Sequence, residues 1–177
     1  MRHASTTATR ASAFPLDEPL DERGRADAAR LRAVLLEGGE AVSSPALRCR
    51  ETAEAAGLRP RLEPRVVECD FGSWGGTTLA DVDAAALGAW IADPDAAPHG
   101  GETLRGFTAR IAEWLDAGPD CATVITHGGV VRAAVVHALG APLDAFWRIE
   151  VSPVSVTELE CHDGRWTLKR LNHLVNA

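Results

Sequence analysis

The sequence predicts a three-layer α/β fold in which a mostly parallel central sheet has helices on both faces and an antiparallel hairpin follows at the C-terminal end. Segments with helical spacing of apolar residues alternate with short β-branched runs, which is typical of parallel sheets covered by helices. The segment "SVTELECHDGRWTLKRL" alternates on both sides of a His-Asp-Gly turn, which predicts the antiparallel pair. The 177 residues are 46% hydrophobic and 24% charged, so residues 1–177 are expected to form one domain with one core.

The first half of the chain predicts two helices and two strands. A helical pattern begins after Asp21 and ends at Gly38-Gly39, because paired glycines stop a helix. The segment "EAVSSP" predicts a short strand that leads into the helix "ALRCRETAEAAG", which ends at Gly57. A second strand is expected between residues 59 and 67.

The second half predicts a helix, a strand and another helix before the hairpin. In "TLRGFTARIAEWLDAG" the apolar residues recur at helical spacing. The segment "CATVITHGG" is a β-branched run that stops in two glycines, and "VVRAAVVHALG" continues as a helix. The hairpin turn is expected at 162–164.

Composition excludes several classes of function. A net charge of -7 and a pI near 5.3 argue against binding to nucleic acid or to an anionic membrane surface. No apolar run approaches the ~20 residues of a membrane span, and no secretion signal opens the chain, so a cytoplasmic protein is expected. The four cysteines never form C-x-x-C, which predicts buried, reduced thiols and no metal site.

Polar side chains suited to phosphate follow three of the expected strands. In parallel sheets the loops after the strands gather the chemistry, and helix N-termini there can face an anion. These loops are "RHAST", if a strand precedes it, "SSPALR" and "THGG", which carry Arg2 with His3, Arg48, and His127 with Gly128. Each alone fits a solvated helix residue or a tight turn equally well. Their shared position is what indicates an anion site.

Five segments together resemble the motifs of a known family. In order they are "RHAST", "SSPALRCRETAE", "ECDFGSWGG", "PHGGET" and "VITHGGVVR", and they span most of the chain. They resemble the histidine phosphatase superfamily, which includes the phosphoglycerate mutases, and "ECDFGSWGG" is most similar to its small α-ribazole phosphatase branch. The resemblance implies a metal-independent phosphomonoesterase without a cofactor. A phosphoglycerate mutase and a non-catalytic phosphate-binding regulator are the alternatives.

The resemblance also implies a role for each polar side chain at the strand ends. His3 would attack phosphorus and carry a phosphohistidine, with its other ring nitrogen bonded to a backbone carbonyl. Arg2 and Arg48 would hold the phosphate oxygens in the bidentate manner that a guanidinium allows. His127 would donate a hydrogen bond to the transferred group, and the Gly128 amide would add another donor.

The proton donor stays open between two acids, and three other positions depart from the family pattern. The family pattern points to Glu68 as the acid that protonates the leaving oxygen, with Asp70 as its competitor, because both share one face of an extended segment. Thr9 stands where many relatives have asparagine and offers a weaker phosphate contact. Ala4 replaces a glycine and Gly75 a frequent glutamate, which changes substrate contacts more than the reaction.

The sequence leaves open whether the protein forms a homodimer. The expected partner is a small phosphomonoester, whose identity the sequence also leaves open. The side chains that contact its non-phosphate part should come from residues 5–16 and 74–102. Trp74, Trp90 and His99 are candidates, although a core position fits Trp74, and a satisfied polar group fits His99, equally well.

The start of the chain carries one further expectation. If Arg2 and His3 end a parallel strand, about five strand residues should precede them, and the sequence shows only Met1 there. The first strand is therefore expected to be missing from this domain.

Overall fold

The computed structural model describes residues 1–32 and 40–174. In these ranges the helices are α1 (Thr7–Ala11), α2 (Glu22–Arg30), α3 (Leu47–Ala55), α4 (Ala84–Ala92), α5 (Leu104–Asp116) and α6 (Gly128–Ala138). The strands are β1 (Ala41–Ser43), β2 (Arg61–Leu62), β3 (Thr123–Ile125), β4 (Ser155–His162) and β5 (Arg165–Leu174). Short 3-10 turns cover Pro64–Val66, Gly72–Trp74 and Leu143–Arg148.

The central sheet is parallel, with the strand order β2-β1-β3, and the first residues of the chain extend it beyond β3. The Met1 amino group donates to the Val124 carbonyl at 2.7 Å, and the His3 amide donates to the Thr126 carbonyl at 2.7 Å. Arg2 forms a parallel bridge with Thr126. His3 therefore lies at the carboxyl end of β3, as expected. That further strand residues belong before Met1 stays a prediction.

Two helix pairs and the hairpin complete the predicted three-layer α/β class. Helix α2 packs against α3, and α5 packs against α6. The larger apolar cluster centres on Phe107, Ile111 and Val136, and a second cluster includes Met1 and Ile125. Strands β4 and β5 pair antiparallel as the alternation predicts.

The predicted elements match the structure except in two places. Helices α1 and α4 were not expected, because the first has only five residues and the second is apolar on nearly all sides, so neither shows a helical stripe. The predicted helix stop at Gly38-Gly39 lies outside the described residues. The hairpin turn has positive φ at Asp163 (49°) and Gly164 (74°), which a type I′ turn requires.

Helix α2 holds the loop that follows His3. Asp21 caps this helix by accepting from the Gly24 amide at 2.7 Å, and the same carboxylate accepts from the Ser5 hydroxyl at 2.8 Å. A Cβ at Gly24 would overlap the Ser5 carbonyl, so glycine is needed for this close approach. The Ala4 amide donates to the Thr52 hydroxyl on α3 at 3.0 Å.

The thiols are unpaired, but only part of the cysteine prediction is right. Cys49 and Cys69 are buried, whereas Cys121 is partly exposed and Cys161 is exposed. Cys161 lies on β4, whose hairpin leaves many side chains in solvent. Among the described residues, no helix has the length and apolarity to cross a membrane.

Candidate active site

The loops that follow the first residues, β1 and β3 meet at one edge of the sheet. They bring His3 and His127 together with ring centroids 5.3 Å apart. Arg48, near the start of α3, lies between the rings: its Nε is 3.3 Å from His3 Nε2 and its Nη2 is 3.1 Å from His127 Nδ1. The structure therefore brings together the three polar groups that the sequence predicts at strand ends.

His3 is held as a neutral ring with one defined tautomer. Its Nδ1 lies 2.7 Å from the Ala4 carbonyl, and a carbonyl can only accept, so Nδ1 carries the proton. Arg48 donates to the other nitrogen, Nε2, which agrees with a lone pair there. Burial and then the positive charge of Arg48 lower the pKa of His3 to about 3. The ring is thus neutral at neutral pH, with a free lone pair on Nε2.

His127 is fully buried, and both of its ring nitrogens have partners. Its Nε2 lies 2.8 Å from the Ser44 hydroxyl, and its Nδ1 accepts from Arg48. Burial, followed by the nearby His3 and Arg48, holds the pKa of His127 well below its usual value. The Cys49 thiol lies 3.6 Å from Nε2, and burial raises the pKa of that thiol to about 12.

Arg2 keeps unused donors beside these rings. Its Nη1 donates to the Val151 carbonyl at 2.6 Å, which fixes the guanidinium, while its buried Nε has no hydrogen-bond partner among the described residues. Burial lowers the pKa of Arg2, and the charge of Glu68 partly restores it. Gly128 begins α6 next to this group, since a Cβ there would lie 3.5 Å from Arg2 Nε.

The two candidate acids have different surroundings. Glu68 lines the cavity beside His3, and its carboxylate accepts from the Gly129 amide at 3.2 Å and from the Cys69 amide at 3.1 Å. Asp70 is exposed, does not line this cavity, and accepts from the Gly72 amide at 2.9 Å. The geometry favours Glu68 as the acid next to a phosphate ester.

A cavity of about 370 Å³ opens beside His3. Thr9 lines it from α1, with its hydroxyl 3.1 Å from that of Thr6. Residues 8–15 supply much of one wall, as the sequence predicts. The cavity also contains the side chains of Glu18 and Arg132.

Sequence reasoning missed Arg132, Glu18 and Phe71 of the cavity, whereas Phe14 and Leu79 lie in the two segments expected to line it. Arg132 had a usable signal: it stands four residues after Gly128, so helical spacing puts it on the same face of α6. Glu18 and Phe71 lie in loops without periodicity, and nothing in the sequence places them.

The three residues of 74–102 named as candidates for substrate contacts lie elsewhere. Trp74, Trp90 and His99 form a buried aromatic cluster, with the His99 ring 4.8 Å from Trp74 and 5.6 Å from Trp90. His99 Nδ1 accepts from the Gly101 amide at 3.0 Å, and burial lowers the pKa of this histidine. None of the three lines the cavity, so their proposed contact with substrate is wrong. The core alternative holds for Trp74, whereas His99 is only partly satisfied, since its buried Nε2 has no hydrogen-bond partner among the described residues.

Comparisons with known proteins agree with this geometry. A model of the histidine phosphatase superfamily (branch 1) matches residues 1–174. The glucosyl-3-phosphoglycerate phosphatase of Mycolicibacterium vanbaalenii is 33% identical over 167 residues, which cover 81% of this chain and 74% of that protein. The adenosylcobalamin/alpha-ribazole phosphatase of Salmonella typhimurium is 29% identical over 97% of this chain and 94% of its own length.

Solved structures show the same fold. A mycobacterial glucosyl-3-phosphoglycerate phosphatase in complex with VO3 superposes with a TM-score of 0.81 at 32% identity. The match covers 98% of this chain and 97% of that one.

Proposed function

Since this chain belongs to branch 1 of the histidine phosphatase superfamily, we propose that it hydrolyses small phosphomonoesters through a phosphohistidine on His3. One observation carries the proposal. His3 Nε2 holds a lone pair at neutral pH in a pocket where Arg2 and Arg48 bring positive charge. A nucleophile beside preorganised cations is what phosphoryl transfer requires. The two named relatives are phosphatases of different esters, so the reaction class is shared while the substrate varies.

In the first half of the reaction, His3 Nε2 attacks phosphorus in line with the ester oxygen. The N–P bond forms, the P–O bond breaks, and the leaving alkoxide takes a proton from Glu68. Arg2 and Arg48 hold the equatorial oxygens. Arg48 exchanges its contact with the His3 lone pair for one with the phosphate, so it is already oriented when substrate arrives.

In the second half, water attacks the phosphohistidine. The Glu68 carboxylate takes a proton from that water, the N–P bond breaks, and His3 is released with inorganic phosphate. His127 Nδ1 lies next to the same Arg48 nitrogen, so a phosphate oxygen there can receive hydrogen bonds from both. A phosphate dianion favours the protonated ring, in which Nδ1 becomes a donor.

The covalent step is tested with His3→Ala. We expect loss of ester hydrolysis, and in the unchanged protein an acid-labile, base-stable phosphate on His3 after rapid quenching of labelled substrate. His137→Ala is the matched control, because His137 pairs with Asp116 at 2.7 Å on the surface. Near-normal turnover by His3→Ala would disprove the phosphohistidine.

The proposed phosphate site includes two further donors. The Gly128 amide and the Thr9 hydroxyl are additional phosphate donors. A cytoplasmic location and a homodimer stay predictions.

A further inference from the structure

The active-site cavity has a charged end and a wall of carbon atoms. From this division we infer that the alcohol released by the enzyme is largely apolar and carries no acidic group near the ester oxygen. The inference rests on the proposed function, since it concerns the leaving group of that same reaction. It depends on three features of the lining: an aromatic and aliphatic wall, a carboxylate, and the contacts that hold the arginine of the cavity on the protein.

The apolar wall consists of Phe14, Phe71 and Leu79. The rings of Phe14 and Phe71 are 4.9 Å apart and pack against the buried aromatic cluster behind them. Leu79 is 46% exposed, although it lines the cavity. A fixed aromatic surface with an exposed leucine beside it favours an apolar ligand, because each methylene buried there is removed from water.

The backbone holds this wall in place. The Phe14 amide donates to the Thr77 carbonyl at 2.9 Å, and the Gly76 amide donates to the Phe14 carbonyl at 2.8 Å. The Leu79 amide donates to the Ser12 carbonyl at 3.0 Å. Two segments that are far apart in sequence therefore form one short antiparallel pair, and their side chains meet the substrate as a preformed surface.

Glu18 makes the cavity unfavourable for an acidic leaving group. Its carboxylate accepts from the Thr6 hydroxyl at 3.1 Å and lies 3.9 Å from Arg48 Nη1. The side chain is only 16% exposed, so its negative charge is poorly screened from a ligand in the cavity. A carboxylate on the substrate would be repelled here, whereas a hydroxyl or a methylene would not.

Arg132 does not reverse this preference. Its Nε is bound to the Ile149 carbonyl at 2.8 Å, and its guanidinium lies over the Phe146 ring at 5.6 Å. Burial is the largest influence on the pKa of Arg132 and lowers it, while the negative charges of Glu68 and then Glu150 raise it. The contacts with Ile149 and Phe146 hold this cation on the protein before any substrate binds.

The first test measures kcat/KM for ethyl, butyl and hexyl phosphate. These esters share one leaving-group chemistry, so a difference among them reports contact with the wall. We expect a rise of roughly threefold for each added methylene until the wall is covered. A chain-length profile that is flat while all three esters are hydrolysed would overturn the inference and leave the proposed function standing. Hydrolysis of none of them, nor of p-nitrophenyl phosphate, would overturn both.

The second test compares propyl phosphate with phosphoglycolate, in which a carboxylate replaces the terminal ethyl group. We expect propyl phosphate to be preferred at least tenfold, and Glu18→Gln to narrow that ratio. A preference for phosphoglycolate would contradict the inference.

Leu79→Ser should lower kcat/KM for hexyl phosphate several-fold more than for ethyl phosphate. Leu139→Ser is the control, since Leu139 is 57% exposed and does not line this cavity; an equal effect of both variants would also contradict it.

Discussion

Arg48 connects the two histidines of the site, and each of its three nitrogens is used. Besides its contacts with His3 and His127, it donates from Nη1 to the Leu16 carbonyl at 2.6 Å. A lysine has one charged nitrogen and could not span these partners. Together, burial and this positive charge keep both imidazoles neutral, so the nucleophile needs no separate base.

The role of Glu68 can be separated from that of the other residues by changing the leaving group. We expect Glu68→Gln to slow hydrolysis of alkyl phosphates on the order of 10²-fold, because an alkoxide needs a proton as it departs. Hydrolysis of p-nitrophenyl phosphate should fall much less, since its phenolate leaves unaided. Asp70→Asn is the control, as Asp70 is exposed outside the cavity. Equal losses on both substrates would remove the acid role from Glu68.

At the level of elements, the start of α6 contacts both the proposed acid and a proposed phosphate-binding arginine. Its second residue, Gly129, donates its amide to Glu68 at 3.2 Å, so the positive end of the helix dipole lies at a carboxylate. Its first residue, Gly128, is next to Arg2. The two glycines have different steric requirements, although both are helical and adjacent in sequence.

This difference gives a prediction for a matched pair of variants. A Cβ at position 129 would overlap Glu68 Oε1, whereas a Cβ at position 128 would make an ordinary contact at 3.5 Å with Arg2 Nε. We expect Gly129→Ala to displace Glu68 and to reduce alkyl phosphate turnover on the order of tenfold or more, as loss of a general acid does. Gly128→Ala should stay within about threefold of the unchanged protein. Steady-state rates with one alkyl ester measure both effects. A larger loss of turnover in Gly128→Ala than in Gly129→Ala would contradict this account of α6.

At the level of the whole molecule, the proposed mechanism draws the charge that stabilises the transition state from side chains on three separate segments. In that mechanism Arg2, Arg48 and His127 supply what a magnesium ion supplies in other phosphoryl-transfer enzymes. We expect turnover to be unchanged after extensive dialysis against a chelator. Activity that disappears on dialysis and returns with magnesium would show that this set of charges is insufficient.

The buried histidines also make the stability of the fold depend on pH. The pKa of His3 is about 3 in the folded chain and about 6.5 when unfolded, and that of His127 is lowered as well. Above pH 6.5 both states are neutral; below it, the unfolded chain binds protons that the folded chain excludes, so stability falls as the pH falls. Between pH 7 and pH 5 we expect a loss on the order of 2 kcal/mol from His3, and a further loss from His127 in the same direction.

Urea unfolding at several pH values between 7 and 5 measures this dependence. In His3→Asn the free energy of unfolding should depend less steeply on pH. In His162→Asn the dependence should be unchanged, because His162 is exposed on the hairpin. A free energy of unfolding that is constant across this range would contradict buried, neutral rings.

The sequence by itself determined the alternation of strands and helices and the identity of the groups at the strand ends. Periodicity reports local structure, and a parallel sheet brings its carboxyl ends to one edge, so Arg2, His3, Arg48 and His127 could be placed together in advance. The motif order also indicated the family, and with it Glu68 as the candidate acid with Asp70 as its competitor.

Only the tertiary structure decided what surrounds those groups. It put Glu18 and Phe71 in the cavity and Trp74 in the buried aromatic cluster, because burial depends on which distant segments pack together. It also separated Glu68 from Asp70, since the amide that binds Glu68 lies 61 residues away in sequence, on α6. Local patterns contain no information on such contacts, which the packing of the whole chain fixes.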